Sequence, residues 1–477
     1  MSGMRRGWRA WLVLAAVIAI AGGALYWRQR QPGVVVTLEP GLRALGQPKR
    51  TVTLALHAPA GKLVSVEAQV IQNGSARTVL TEDLAAAGTA ETKRPLTLDA
   101  AALGLKEGPA ELRVFARDSV WRPRPDRSPR LILPFAVGLT PPTLELRAAT
   151  GYVKHAGAAV AVYRTTGAIR SGVRVGETFF PGQGGLAADP ALHVAFYAFP
   201  YDSPAVAPAV VAEDEAGNQR MVGLSVTFLP VRFPKETIRL TEAFLQRKVP
   251  ELAPPTPATA PVGELVTTFL RVNREGRQAA EAKIREITRG ESAPRPLWSG
   301  PFRQQPNSKV FANFPEERTY QVEGRTIDVE WHLGIDLASQ KRVPVEAANT
   351  GRVVFTGPNG IYGNMIVLDH GLGLFTLYAH LSEIGVKVGQ EVKQGEALGR
   401  SGETGLAGGD HIHFALLVRG VYASPLEWWD PHWLRDRIAK PLVDAGVSLA
   451  GITDGSLAPV ASAPDSGGHP ASRPRRR

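Results

Sequence analysis

Two short stretches decide the reading of this chain: Trp331-His332-Leu333-Gly334-Ile335-Asp336 and Asp410-His411-Ile412-His413-Phe414. In the first, a histidine and an aspartate stand four residues apart. On a strand such residues point the same way, and on a helix they are neighbours, so either element brings an imidazole and a carboxylate to one point. Gly334 between them lets the backbone approach closely. The second stretch runs into Ala415-Leu416-Leu417-Val418, which has the character of a buried strand. Residues two apart on a strand share a face, so His411 and His413 project into one cavity while Ile412 faces the other way.

Zinc takes imidazole nitrogen and carboxylate oxygen at roughly 2.0–2.2 Å, and its catalytic sites keep one position open for water. The chain contains no cysteine, which excludes disulfides, thiolate metal sites and cysteine nucleophiles. Nitrogen and oxygen are then the available ligands, and two histidines with one carboxylate make such a set. Spacing reaches a metal site and stops there, because two unrelated polar strand ends would give the same letters.

The blocks around these stretches add a resemblance. Residues 331–426 resemble the LytM/lysostaphin-like zinc metallo-endopeptidases through His332-Leu333-Gly334-Ile335-Asp336-Leu337-Ala338, Pro344-Val345-Glu346-Ala347, Gly351-Arg352-Val353-Val354 and Tyr362-Gly363-Asn364. Leu377-Tyr378-Ala379-His380-Leu381-Ser382, Val388-Gly389-Gln390-Glu391-Val392-Lys393-Gln394-Gly395 and His411-Ile412-His413-Phe414 continue it in order. The resemblance covers about a fifth of the chain. It implies Zn2+ on His332, Asp336 and His413, with His380 and His411 as catalytic residues beside the metal. It also implies a peptide substrate within peptidoglycan, in its stem or cross-bridge. Asp410 stands where the family often has proline, Ala415 where it often has glutamate, and residues 404–409 depart from its usual threonine- and serine-containing loop; none of these removes a ligand.

Outward from this region, the 477 residues suggest several domains, and 44% hydrophobic content suits folded cores. Residues 10–27 are uncharged and mostly apolar, flanked by Arg5, Arg6 and Arg9 before and Arg28 and Arg30 after, with Trp8, Trp11, Tyr26 and Trp27 at the ends. Such a run spans ~30 Å of hydrocarbon as a helix. Ala19-Ile20-Ala21 also fits a small-x-small cleavage pattern, so the segment reads as an inner-membrane anchor or a cleavable signal, and both export the rest. Residues 34–138 and 139–231 show short alternating apolar runs punctuated by glycine, proline and asparagine, the spacing of two β-sandwich, immunoglobulin-like domains. Residues 232–295 read as a helical arm, with helices at 235–249 and 267–289, serving as a spacer or as a cover for the site. The metallopeptidase domain is placed at 296–440, and 450–477 is a Pro/Ser/Ala/Gly tail ending in arginines.

The expected fold is therefore mainly β and multidomain, with a membrane segment at 1–30. Its expected partners are peptidoglycan, the inner membrane and an envelope or division protein. The formal charge of +11 favours anionic partners, but no interleaved basic and aromatic motif supports nucleic acid. Two other functions compete. One is a non-catalytic activator of a separate cell-wall amidase, which the presence of all five site residues opposes. The other is a lipoyl-carrier or phosphotransferase fold, suggested by the V-x-x-G-x-x-V-x-x-G pattern at 386–395 but not explaining H-x-x-x-D. Asp369-His370-Gly371 reads as a turn, Arg318-Thr319-Tyr320 as a hairpin edge or groove wall, and Trp428-Trp429-Asp430 with Trp433 as a helix packed on the domain or a sugar surface.

Overall fold

The computed structural model describes residues 4–203 and 206–454, so the predicted tail lies, from residue 455 on, outside the described residues. The architecture is mainly β. It opens with helix α1 (Met4–Gln29), whose stretch Ala10–Gln29 has a mean hydropathy of 2.0, is nowhere buried by protein, and is long and apolar enough to cross a membrane.

The chain divides into two compact units. The first holds Met1–Pro142 with Gly167–Ile169 and Glu213–Arg220. Here a three-stranded sheet (Val35–Glu39, Arg50–His57, Glu91–Leu98) and a five-stranded sheet (Ala44–Leu45, Leu131–Val137, Gly108–Asp118, Leu63–Gln72, Ser75–Asp83) share one core. The period-two alternation read from the sequence decides which residues fill it: Val52, Leu54 and Leu56 from one sheet meet Val66, Ala68, Val70, Leu112 and Val114 from the other.

The second unit holds Thr143–Thr166, Arg170–Ala212 and the chain from Met221 onward. The β-rich stretch after Thr143 shares one hydrophobic core with the C-terminal region, and Phe196 and Trp428 pack with ring centroids 6.2 Å apart. Its four-stranded sheet runs Gln183–Gly184, Leu192–Ala198, Ala158–Thr166, Thr143–Ala149. Trp428 is fully buried.

The arm differs from its sequence reading at two points. Residues 235–239 are a strand, β1 (Lys235–Arg239), and helix α2 (Glu242–Leu252) starts only after it. The reason is local: the Thr241 hydroxyl accepts from the Phe244 N–H at 3.2 Å and caps the helix there, while β1 finds a parallel partner in β3 (Glu316–Val322). The second helix begins earlier than residue 267, as α3 (Val262–Arg271). It passes through a π-helical turn, Val272–Gly276, into α4 (Arg277–Arg289).

The site is positioned by a sheet and a hairpin. The sheet contains β2 (Lys309–Ala312), β5 (Ile335–Ala338), β6 (Gly351–Pro358), β7 (Asn364–Asp369), β8 (Leu374–Leu381), β9 (Glu391–Val392) and β10 (Ile412–Val418), in the order β2-β5-β10-β8-β7-β6-β9. The hairpin pairs β3 with β4 (Arg325–His332). Strands β8 and β10 are buried along their whole length, which explains their continuous apolar runs.

Candidate metal centre

Five sequence-predicted residues meet at the ends of these strands. His332 ends β4 and Asp336 lies on β5, so the H-x-x-x-D pair spans a strand-to-strand turn and not one regular element. Asp336 sits directly across from His413 in the β5–β10 ladder, and His413 faces Ala379 of β8 on its other side. His380 follows Ala379, and His411 precedes β10 in a bridge to Gly402. The ring centroids of His332 and His413 are 4.8 Å apart, as are those of His380 and His411, and His380 is 5.8 Å from His413.

The donor atoms converge more closely still. His332 Nε2 lies 2.9 Å from Asp336 Oδ1 and 2.9 Å from His413 Nδ1, and His413 Nδ1 lies 3.1 Å from Asp336 Oδ1. All three residues are buried. His332 Nδ1 is 3.1 Å from the Asn313 carbonyl oxygen, to which it donates. That bond uses the single proton of a neutral ring, so Nε2 presents a lone pair to two other acceptors. With His413 Nδ1 unprotonated as well, three lone pairs would face one another in a buried place, an arrangement that suits a cation. Tetrahedral zinc needs ligand atoms about 3.3 Å apart, a few tenths of an ångström beyond the observed separations, so the trio fits such an ion with little movement. The other oxygen of Asp336 is engaged by Arg318 Nη2 at 2.9 Å, which leaves Oδ1 for the centre.

Burial opposes the charge on Asp336, but His332, His411 and His413 outweigh it and hold the carboxyl well below its ordinary range. Burial pushes His413 down to about 4. Burial, with His411 and His413 beside it, holds His380 well below the ordinary imidazole value. His411 goes the other way: burial lowers it, but its contact with Asp336 prevails and raises it. Each accessory ring is anchored through Nδ1, His380 to the Thr404 carbonyl at 2.8 Å and His411 to the Gly409 carbonyl at 2.7 Å. His380 has a φ of +63°, a left-handed conformation that costs a non-glycine residue about 1–3 kcal/mol.

A cleft of about 500 Å³ opens over the centre. Phe244, Phe311, Leu333, Tyr362 and Leu406 give it apolar walls, and Glu236, Arg277, Arg318 and Asp410 bring charge. Arg318 therefore lies on a hairpin strand and also lines the groove. The residues that sequence reasoning missed come from the arm: Glu236 on β1, Phe244 on α2 and Arg277 on α4. Nothing in their local spacing marks them, because they reach the site through long-range packing. Phe311 was missed too; it occupies a register shift where β2 pairs with β5, and its side chain is 75% exposed. Such bulges re-aim a side chain. His370 stays outside the cluster: it is fully buried between the Thr350 carbonyl (2.8 Å) and the Thr376 hydroxyl (2.7 Å), a structural role.

A buried nitrogen–oxygen trio on a sheet, with two further imidazoles alongside, defines a site of the metallopeptidase class. Comparison with known proteins agrees: residues 330–425 match the model of peptidase family M23, and this part of the chain belongs to that family of metallopeptidases. Peptidoglycan DD-endopeptidase ShyA of Vibrio cholerae is 40% identical over 112 residues, which are 24% of this chain and 25% of that protein. DD-carboxypeptidase/endopeptidase Mpg of Neisseria meningitidis is 39% identical over 95 residues, 20% of this chain and 22% of that one. Stage II sporulation protein Q of Bacillus subtilis is 37% identical over 101 residues, 20% and 36% of the two chains. The first two relatives are thus matched over about a quarter of their own length.

Proposed function

We propose that this chain is a zinc-dependent endopeptidase that hydrolyses peptide bonds in peptidoglycan stem peptides or cross-links. The observation that carries the proposal is the convergence of His332 Nε2, Asp336 Oδ1 and His413 Nδ1 at 2.9–3.1 Å within a segment of a metallopeptidase family. The names of ShyA and Mpg support the choice of peptidoglycan as substrate. Zinc bound by the trio would polarise water and the scissile carbonyl as a Lewis acid.

The chain's own groups supply the rest. The Asn313 carbonyl orients the His332 ring, and Arg318 holds Asp336 Oδ2 so that Oδ1 points inward. His380 is held neutral by burial, with Nδ1–H on Thr404, so its Nε2 lone pair is suited to accept a proton. His411, its Nδ1 tied to the Gly409 carbonyl and its Nε2 3.6 Å from Asp336 Oδ1, would when protonated donate a hydrogen bond to developing negative charge. The apolar walls displace water from the peptide and strengthen these interactions. In the same proposal α1 anchors the protein in the inner membrane, or is cleaved to release it, with the peptidase domain on the periplasmic side. An envelope or division protein remains a further proposed partner.

A non-catalytic activator of a cell-wall amidase is the second reading. The likeness to stage II sporulation protein Q, named for sporulation, favours it. Digestion of purified sacculi by the full chain, with and without a chelator, separates the two. Zinc-dependent loss of cross-linked muropeptides, read by mass spectrometry, is expected; intact sacculi at every zinc level would overturn the enzyme and leave the activator.

A further inference from the structure

The first compact unit carries a loop that nothing in the peptidase reading uses. Residues 119–130 join strands Gly108–Asp118 and Leu131–Val137 with the sequence Ser119-Val120-Trp121-Arg122-Pro123-Arg124-Pro125-Asp126-Arg127-Ser128-Pro129-Arg130. It has four arginines against one aspartate. Trp121 is 60% exposed, an unusual placement for a large apolar ring, and Arg124 and Arg127 are exposed as well.

This loop is fastened to the end of α1. The Gln29 side chain makes a two-point clamp on Arg124: its Nε2 donates to the Arg124 carbonyl at 3.0 Å, and its Oε1 accepts from the Arg124 N–H at 2.9 Å. Two residues earlier, Arg122 Nη2 donates to the Pro32 carbonyl at 2.9 Å. Arg122 is in turn held by Asp118 at 2.7 Å, and Arg130 by Asp126 at 2.9 Å. The loop's two acidic neighbours are therefore engaged by Arg122 and Arg130, and Arg124 and Arg127 present their charge outward.

The clamp fixes the loop's height relative to the apolar helix. Tyr26 and Trp27, 59% and 64% exposed, mark the level that amphipathic rings prefer, the headgroup layer. Gln29 is two residues beyond Trp27, about 3 Å of helical rise. The headgroup layer of one leaflet is roughly 5–7 Å thick, so a loop clamped at Gln29 lies within it. Arg28 and Arg30 are exposed at the same level, with Arg30 stacked over the Tyr26 ring at 4.6 Å.

From these observations we infer that residues 121–127 form a juxtamembrane docking loop that seats Trp121 at the bilayer interface and places Arg124 and Arg127 on anionic phospholipid headgroups. The inference rests on α1 spanning a membrane. An indole beside two cations matches an anionic lipid surface in both chemistry and depth. The loop would hold the first unit against the bilayer, so that α1 and the loop together act as a two-point mount where a single helix would leave the unit free to swing. Each arginine near an anionic surface shifts the docked-to-free ratio by about fivefold.

The absence of cysteine allows a clean test. The full chain carrying Ser128→Cys, labelled with an environment-sensitive fluorophore, is reconstituted into vesicles of phosphatidylcholine alone or with one part in three phosphatidylglycerol. The inference predicts a blue-shifted, stronger emission on the anionic vesicles. That signal is lost in an Arg124→Gln/Arg127→Gln background, weakened by Trp121→Ala, and reduced as salt rises. Equal emission in both lipid mixtures, from a chain that resists alkaline extraction, would overturn the loop's role while leaving the anchor intact. Extraction of the chain at alkaline pH would overturn the anchor, and the loop proposal with it.

Discussion

Gly334 shows how much of the centre depends on a single missing atom. A Cβ at that position would sit against His413 Nε2 and 2.8 Å from the Phe414 carbonyl oxygen, so the His413 ring reaches the trio only because residue 334 has no side chain. Gly334→Ala is therefore expected to push the ring off Asp336. Zinc affinity, measured by chelator competition, should fall by about 10–100-fold, with a stability loss of about 1–3 kcal/mol from overpacking. An unchanged affinity would show that the ring has another place to go. His380 makes a related point: its left-handed backbone stores strain at the place where its ring is needed.

At the scale of elements, helix α2 does more than space two domains. Lys248 is buried on it, pairs with Glu251 at 2.8 Å and donates to the Glu403 carbonyl; Glu251 Oε1 accepts from the Gly405 N–H at 2.8 Å. Between those two anchor points stands Thr404, whose carbonyl holds His380 Nδ1. Lys248→Met should release the 403–405 loop and lower kcat by about tenfold with zinc content unchanged. It should cost about 1–3 kcal/mol of stability, and Lys248→Arg should recover part of both. Steady-state kinetics with metal analysis and thermal unfolding of the two variants read this directly.

None of that clasp was legible in the sequence. Four of the five candidate residues were legible as candidates, because H-x-x-x-D and H-x-H are local patterns, although His332 and Asp336 meet across a strand-to-strand turn and Asp336 reaches His413 through one ladder pairing; His380 entered through the family resemblance. The buried strands β8 and β10 were legible for the same reason, as unbroken apolar runs. The arm was not, because whether residues 235–239 form a strand depends on a parallel partner some eighty residues away in β3. Arg277 and Phe244 line the cleft for equally non-local reasons.

At the scale of the whole molecule, the second unit's β-rich first part and its C-terminal part share a hydrophobic core and also meet at one buried carboxyl. Glu427 is 4% exposed, and its Oε2 accepts from the Ala158 N–H at 3.4 Å. Burial raises its pKa to about 7, against lesser opposing effects of that N–H, Lys154 and Arg437. The folded-state value lies above the ordinary carboxyl value near 4.5, so the fold favours the protonated form. The stability this contributes is complete below pH ~4.5 and is lost as pH rises through about 7, at most about 3 kcal/mol. The melting temperature should therefore fall between pH 5 and pH 8, and Glu427→Gln should flatten that fall. A variant with the wild-type pH dependence would assign the effect to other groups.

The proposed function divides labour within five residues: His332, Asp336 and His413 would hold zinc, and His380 and His411 would work beside it. Zinc content and sacculus hydrolysis, measured on the same preparations of wild type, His332→Ala and His380→Ala, test it most directly. The expected result is about one zinc per wild-type chain, loss of both zinc and hydrolysis in His332→Ala, and full zinc with hydrolysis reduced about 10²–10⁴-fold in His380→Ala. Hydrolysis that survives in zinc-free His332→Ala, or an undiminished rate in His380→Ala, would contradict it.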